Sequence, residues 1–189
     1  MKSRAERYLD RIVELAGGRE PRINPIETSR PEVHLPPVVA LSFQDMPEPG
    51  LISGFTYGLS LARHPLWQFG RPELAITVFS KDVGWPISIA LMADRLRGEC
   101  PFEFGNTINV GETITDETHL AAFAIFAPPF PDNPDDCKID VGDDVPVILT
   151  GCYPIHRTEM DFIERNGLEA FWKLDWDAYD VQRGPAIFD

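Results

Sequence analysis

Cysteine is scarce in this chain of 189 residues, and Cys100, Cys137 and Cys152 stand far apart with no CxxC pair. A disulfide framework or a structural zinc site needs denser, paired cysteines. Three reduced thiols are therefore expected, with no metal and no organic cofactor. Long apolar runs are missing as well: none approaches the roughly 20 residues that span a bilayer. The opening segment MKSRAERYLDRIVELAGG scatters its charges and has no continuous apolar stretch, so it does not read as a secretory signal. The cytoplasm is the expected location.

Catalytic signatures are also lacking. The sequence contains no GxSxG, no HExxH, no phosphate loop and no GxGxxG. Its four histidines, His34, His64, His119 and His156, never pair at the i, i+3 or i+4 spacing that puts two metal ligands on one helix face. His156 lies three residues before Glu159, which reads as a helix start beside an early-turn carboxylate that favours the helix dipole. Cys152 and His156 would make a thiol and a base, but Cys152 falls in an apolar strand, where thiols are buried and inert. The residues point away from an enzyme.

Positive charge is the remaining shortage. Lysine and arginine number 17 against 30 acidic residues, a formal net charge of −13. Residues 1–30 hold seven basic and five acidic residues, so the rest of the chain carries −15. Such a surface repels nucleic acid and anionic membrane and attracts basic partners. The acid is concentrated in two stretches. Residues 131–144 contain Asp132, Asp135, Asp136, Asp140, Asp143 and Asp144 against Lys138 alone; residues 159–180 contain seven carboxylates against Arg165 and Lys173. The spacing of Asp132, Asp135 and Asp136 fails the calcium-loop rule, which leaves a solvated acidic loop. Both stretches, and in particular Asp135, Asp136, Asp143 and Asp144, are expected to face a basic protein partner.

Apolar residues make up 43% of the chain, enough for one core. Ser3–Leu15 has Tyr8, Leu9, Ile12, Val13 and Leu15 at helical spacing, and Gly17-Gly18 stop it. Residues 19–37 hold five prolines and read as an extended connector. This divides the chain into an N-terminal helix with connector, residues 1–30, and a domain from 31 to 189 whose compact part begins near Val33. The helix is expected to be removable. Strands are expected at Val38–Phe43, from Leu51, at Glu73–Phe79, His119–Ala127 and Val145–Tyr153. Pro86–Arg97 reads as a helix, and Thr158, with Asp161 three residues on, as the N-cap of another that ends at Gly167. Leu168–Leu174 reads as a last short helix and the tail beyond as irregular. The order implies an α+β fold with a mixed, mostly antiparallel sheet and flanking helices. Glycines alternate with aromatics between Gly54 and Gly111, as in a scaffold or an aromatic-lined groove. Trp67 and Phe104 are the candidate exposed aromatics of such a groove.

Four segments carry a family resemblance: FTYGLS at Phe55–Ser60, PELAITVF at Pro72–Phe79, FGNTINVGETI at Phe104–Ile114 and YPIHRTEMDFIERNG at Tyr153–Gly167. In order and spacing the chain resembles the suppressor-of-fused domain family, of the bacterial single-domain type, from about Val33 to Leu174. The resemblance implies a suppressor-of-fused-like α+β domain without catalytic activity, matching the N-terminal of the two lobes that clasp a transcription-factor peptide in animal members. Bacterial relatives look like immunity proteins of polymorphic toxin systems. The resemblance thus implies a protein or peptide partner, such as a basic toxin domain to be neutralised. A regulatory peptide-binding adaptor is the alternative, with an enzyme of unrecognised type behind it.

Overall fold

The computed structural model describes residues 2–30 and 34–187. The expected start of the compact region at Val33, and the boundary at residue 31, lie outside the described residues. Helix α1 (Arg4–Leu15) begins where Ser3 accepts from the Glu6 N–H and Glu6 accepts from the Ser3 N–H, a reciprocal capping box. The strands that follow are β1 (Arg22–Pro25), β2 (Val39–Gln44), β3 (Leu51–Tyr57) and β4 (Arg71–Phe79). Helix α2 (Gly84–Leu96) comes next, then β5 (Thr107–Asn109), β6 (Ala122–Phe126), β7 (Lys138–Ile139) and β8 (Val147–Ile155). Helices α3 (Arg157–Asn166) and α4 (Leu168–Trp172) precede an irregular tail. The fold is α+β, as the element order implies.

All the strands join one mixed sheet in the order β1-β2-β3-β4-β8-β6-β5, with β7 paired to β8. Among the strands of the described residues only β4 and β8 pair in parallel, Arg71 opposite Val147. Strand β6 pairs with the C-terminal half of β8 and β7 with its N-terminal end. Because side chains alternate across a strand, the central strands supply two cores. Ile76, Val78, Phe123, Ile125 and Cys152 meet Trp85, Ile89 and Ala93 of α2 on one face. Gly54 permits this contact: a Cβ there would lie 2.7 Å from the Pro86 Cβ and 2.9 Å from its Cα.

The opposite face is shared. Helix α1 buries Tyr8 and Ile12 against Leu41, Phe43, Phe55, Val147 and Leu149. Helices α3 and α4 cover Ala122, Ala124, Tyr153 and Ile155. The 1–30 division is a proposal about folding units, and these contacts argue that its helix is not free-standing. Tyr8 and Ile12 are fully buried, and the Tyr8 hydroxyl donates to the Thr56 carbonyl at 2.7 Å. Further differences are local. Strand β1 lies in the segment expected to be a connector, β5 is a short strand additional to those expected, and α3 starts after His156, where Glu159 accepts from the His156 N–H at 2.8 Å, rather than at Thr158.

The connector is tied to α2 by a buried pair. Asp94 accepts from the Ser29 N–H (2.7 Å), the Ser29 hydroxyl (2.8 Å) and the Thr28 hydroxyl (3.0 Å), and it lies 3.3 Å from Arg97. Arg97 donates onward to the Pro36 carbonyl at 2.8 Å. Burial opposes ionisation of Asp94, but the Ser29 and Thr28 bonds and the Arg97 charge outweigh it, and its pKa is lowered. A lowered folded pKa means that the stabilisation is complete above the ordinary carboxylate value, about 4, and is lost as pH falls through the folded value. Asp94→Asn is therefore expected to unfold at lower temperature at neutral pH and to lose less on acidification. Thermal unfolding at neutral pH and from about pH 4 to about pH 2 checks this; parallel pH profiles for the two proteins would contradict it.

Candidate binding site

An open groove of about 950 Å³ lies between α2 and the segment of β5 and its following turn. Leu91, Met92, Leu96, Ile108, Val110 and Ile114 line it, with Arg95 and Glu112 among its polar residues. Helix α2 turns Trp85, Ile89, Met92 and Ala93 inward, yet Leu91 is 51% exposed. A large aliphatic side chain off the buried stripe and beside an open groove suits binding better than packing.

The groove runs beside β5, a sheet edge that no other strand of the described residues pairs with. Ile125 N–H donates to the Asn106 carbonyl and Val110 N–H to the Ala121 carbonyl. With Ile108 opposite Phe123, the antiparallel alternation directs the backbone groups of Ile108 toward β6 and those of Thr107 and Asn109 away from the sheet. Arg157 donates to the Gly111 carbonyl just beyond, which closes that end of the edge. The sheet's other edge is blunted. Ile26 N–H donates to the Val38 carbonyl, so Ile23 and Pro25 are the β1 residues that point outward. Pro25 has no N–H to offer, a common device against strand addition.

Glu73, fully buried on β4, resembles a catalytic carboxylate at first sight. It accepts from Thr56 Oγ1 (2.7 Å), Gly58 N–H (2.8 Å), Ser60 N–H (3.0 Å) and Ser60 Oγ (2.5 Å). These bonds use a carboxylate's acceptor capacity, and Gly58 enters them at φ 126°, which a side chain would strain. Glu73 thus fixes the end of β3 and the turn at Gly58–Ser60 that follows it. Burial pushes the Cys100, Cys137 and Cys152 thiols up, away from the thiolate. Among the described residues no group of three His, Cys, Asp or Glu side chains gathers as a metal site.

The residues singled out from the sequence fall in three separate places. Asp136 accepts from Arg11 at 2.5 Å, which fastens α1 to the acidic loop, and Asp143 sits between Arg4 (2.9 Å) and Arg71 (3.4 Å), which fastens both α1 and β4 to it. Asp144 also reaches Arg71, at 3.0 Å, but is 78% exposed; Asp135 is 87% exposed with Lys138 3.8 Å away. Trp67 is not an exposed anchor. It is 9% exposed, donates from Nε1 to the Pro101 carbonyl at 2.9 Å and packs on His64, because its indole fills the gap under the loop before β4. Phe104 is 56% exposed, but its ring rests on Phe126, which belongs to the α3–α4 side of the sheet. None of the six lines the groove. Thr107 and Asn109 carry no sequence signal of an open edge; Leu91, an apolar residue off the helical stripe, does.

Comparison with known proteins agrees with the fold. The family model described as suppressor of fused protein (SUFU) matches residues 34–189. A crystal structure of a SUFU homologue from Neisseria gonorrhoeae superposes with TM-score 0.75 at 17% identity, covering 97% of this chain and 96% of that one. A Sufu–Fu complex structure gives TM-score 0.68 at 10% identity over 95% of this chain and 90% of that one. Drosophila Suppressor of Fused gives the same score and identity, and this chain spans 50% of its length. No curated protein sequence matches.

Proposed function

The chain belongs to the suppressor of fused (SUFU) family, and on that premise we propose that it is a non-catalytic domain that binds an extended segment of a partner protein along the open edge of β5. The observation that carries this reading is the coincidence of two features, outward backbone groups at Thr107 and Asn109 beside an apolar groove. An added strand takes affinity from main-chain bonds and specificity from alternate side chains in adjoining pockets. A partner complex of a suppressor of fused protein, the Sufu–Fu structure, supports a protein ligand. The partner we assign is a basic toxin domain, neutralised by this chain as an immunity protein. Support comes from the net charge of −13 and from full-length likeness to a bacterial homologue. The same fold would also serve a regulatory adaptor, and co-expression separates the two: rescue of cells from the partner's toxicity belongs to the first reading alone.

The test is binding kinetics with the partner chain encoded beside this one or co-purified with it. Thr107→Pro removes an outward N–H without touching a bond to β6, and Leu91→Glu places a charge in the groove. Each is expected to raise the dissociation rate about 10-fold or more, the scale of a lost hydrogen bond or a buried unpaired charge. Replacing the two exposed carboxylates, Asp135→Asn with Asp144→Asn, is expected instead to slow association and flatten its salt dependence. Unchanged dissociation in both groove variants would remove the β5 edge as the site.

A further inference from the structure

The α3–α4 side of the sheet, opposite the groove, carries a connected run of aromatic rings. Phe104 lies 5.3 Å from Phe126, Phe126 5.0 Å from Trp172, and Trp172 4.8 Å from Tyr153 and 5.3 Å from Trp176, all between ring centroids. The inner end is closed by the chain's own arginine: the Arg183 guanidinium sits 4.7 Å above the Trp176 ring. The outer end is open, with Phe104 56% and Trp172 37% exposed. Its surroundings carry more acid than base. Glu103 adjoins Phe104 and Asp175 lies three residues after Trp172, both exposed; Glu169, one helical turn before Trp172, is paired with Lys173 at 2.7 Å.

We propose that this strip is a second docking surface, which takes arginine side chains of a basic protein partner over Trp172 and Phe104. The proposal rests on the protein-binding reading and adds a site and a side-chain chemistry to it. Aromatic faces attract cations electrostatically, and a guanidinium is planar and weakly hydrated, so it stacks at lower desolvation cost than an ammonium. Glu103 and Asp175 at the rim supply matching charge, while Glu169 is shared with Lys173. A purely apolar partner would bury those carboxylates without compensation, and an anionic membrane would be repelled by them. Arg183 on Trp176 shows within the molecule that this cluster accepts a guanidinium.

The experiment is a titration of the full-length chain with an arginine-rich peptide, a lysine-rich peptide of equal charge and a neutral phenylalanine-rich peptide, read by NMR of the tryptophan indole N–H signals. The arginine peptide is expected to shift the Trp172 signal saturably and to bind about 5-fold tighter than the lysine peptide, with little binding of the neutral one. Phe104→Ala, at an exposed position that does not threaten folding, and Trp172→Leu are each expected to weaken the arginine peptide about 5-fold. Equal binding of the two cationic peptides with no effect of either variant would overturn the proposal and leave only general acidity. Preference for the neutral peptide would overturn it too. Leu91→Glu and Thr107→Pro separate the surfaces. Loss of arginine-peptide binding in those variants, with Trp172→Leu unaffected, sinks this surface and leaves the groove standing. Arginine binding at Trp172 alongside partner dissociation indifferent to the groove variants sinks the groove and leaves this surface.

Discussion

Arg183→Ala is expected to destabilise the protein by about 3–5 kcal/mol, the usual consequence of removing one member of a buried ion pair. Arg183 and Glu159 have side chains 7% and 0% exposed and meet through two bonds, 2.5 Å and 2.8 Å. Glu159 also accepts from the Ala186 and His156 N–H groups, at 2.7 Å and 2.8 Å. One carboxylate therefore binds the start of α3 to the tail that crosses it. Burial opposes ionisation of Glu159, but Arg183 and the two backbone donors outweigh it and lower its pKa. The stabilisation is thus complete above the ordinary glutamate value and fades as pH falls through the lower folded one. Without Arg183 the carboxylate stays buried with two neutral donors, and its pKa is expected to rise. The gap between variant and wild type should then narrow below about pH 4. Chemical denaturation at neutral and acid pH measures this. A gap under about 1 kcal/mol at neutral pH, the range of an exposed pair, would show that the pair is not structural. Glu159→Gln combined with Arg183→Met tests the same point from the other side, since a neutral pair leaves no unpaired charge and is expected to recover part of the loss.

That pair also marks where sequence reading stops. Glu159 is visible in the sequence as one acid among seven in residues 159–180, and nothing near it announces a cation 24 residues away. The long elements are legible because each has a period: the stripe of α1, the alternation in β4, the apolar run of β6. Strands β1 and β5 are not, being four and three residues long at the sheet's edges, where one-sided pairing places few demands on side chains. Composition likewise misjudges the acid in residues 131–144. Asp136 and Asp143 look like free surface charge, but Arg4 and Arg11 stand seven residues apart on one face of α1 and neutralise them. Trp67 and Phe104, alike as aromatics beside glycines, are separated only by packing, one closed under a loop and the other open beside Phe126.

Tyr8→Ala is expected to cost about 3–5 kcal/mol, as for a fully buried aromatic that cannot be replaced by collapse of its neighbours. For a chain of this size that corresponds to a fall of roughly 6–20 °C in Tm. Tyr8 is 1% exposed, its ring lies 5.1 Å from that of Tyr57, and its hydroxyl satisfies the Thr56 carbonyl. Tyr8→Phe isolates the last contribution and is expected to lose about 1 kcal/mol. Removing residues 1–18 tests the folding-unit proposal directly. The deletion abolishes the ordering cost of the helix, so its effect is smaller than the summed stabilisation from α1 packing. It nonetheless strips the cover from Leu41, Phe43 and Phe55, and among the described residues no other α-helix contributes to that core. Losses on this scale rival the 5–15 kcal/mol that a domain of this kind has in total. The truncated chain is therefore expected to lose its cooperative thermal transition and to bind a hydrophobic dye. A truncated chain that unfolds cooperatively near the wild-type Tm, together with a Tyr8→Ala variant of unchanged stability, would restore the helix to the status of an appendage.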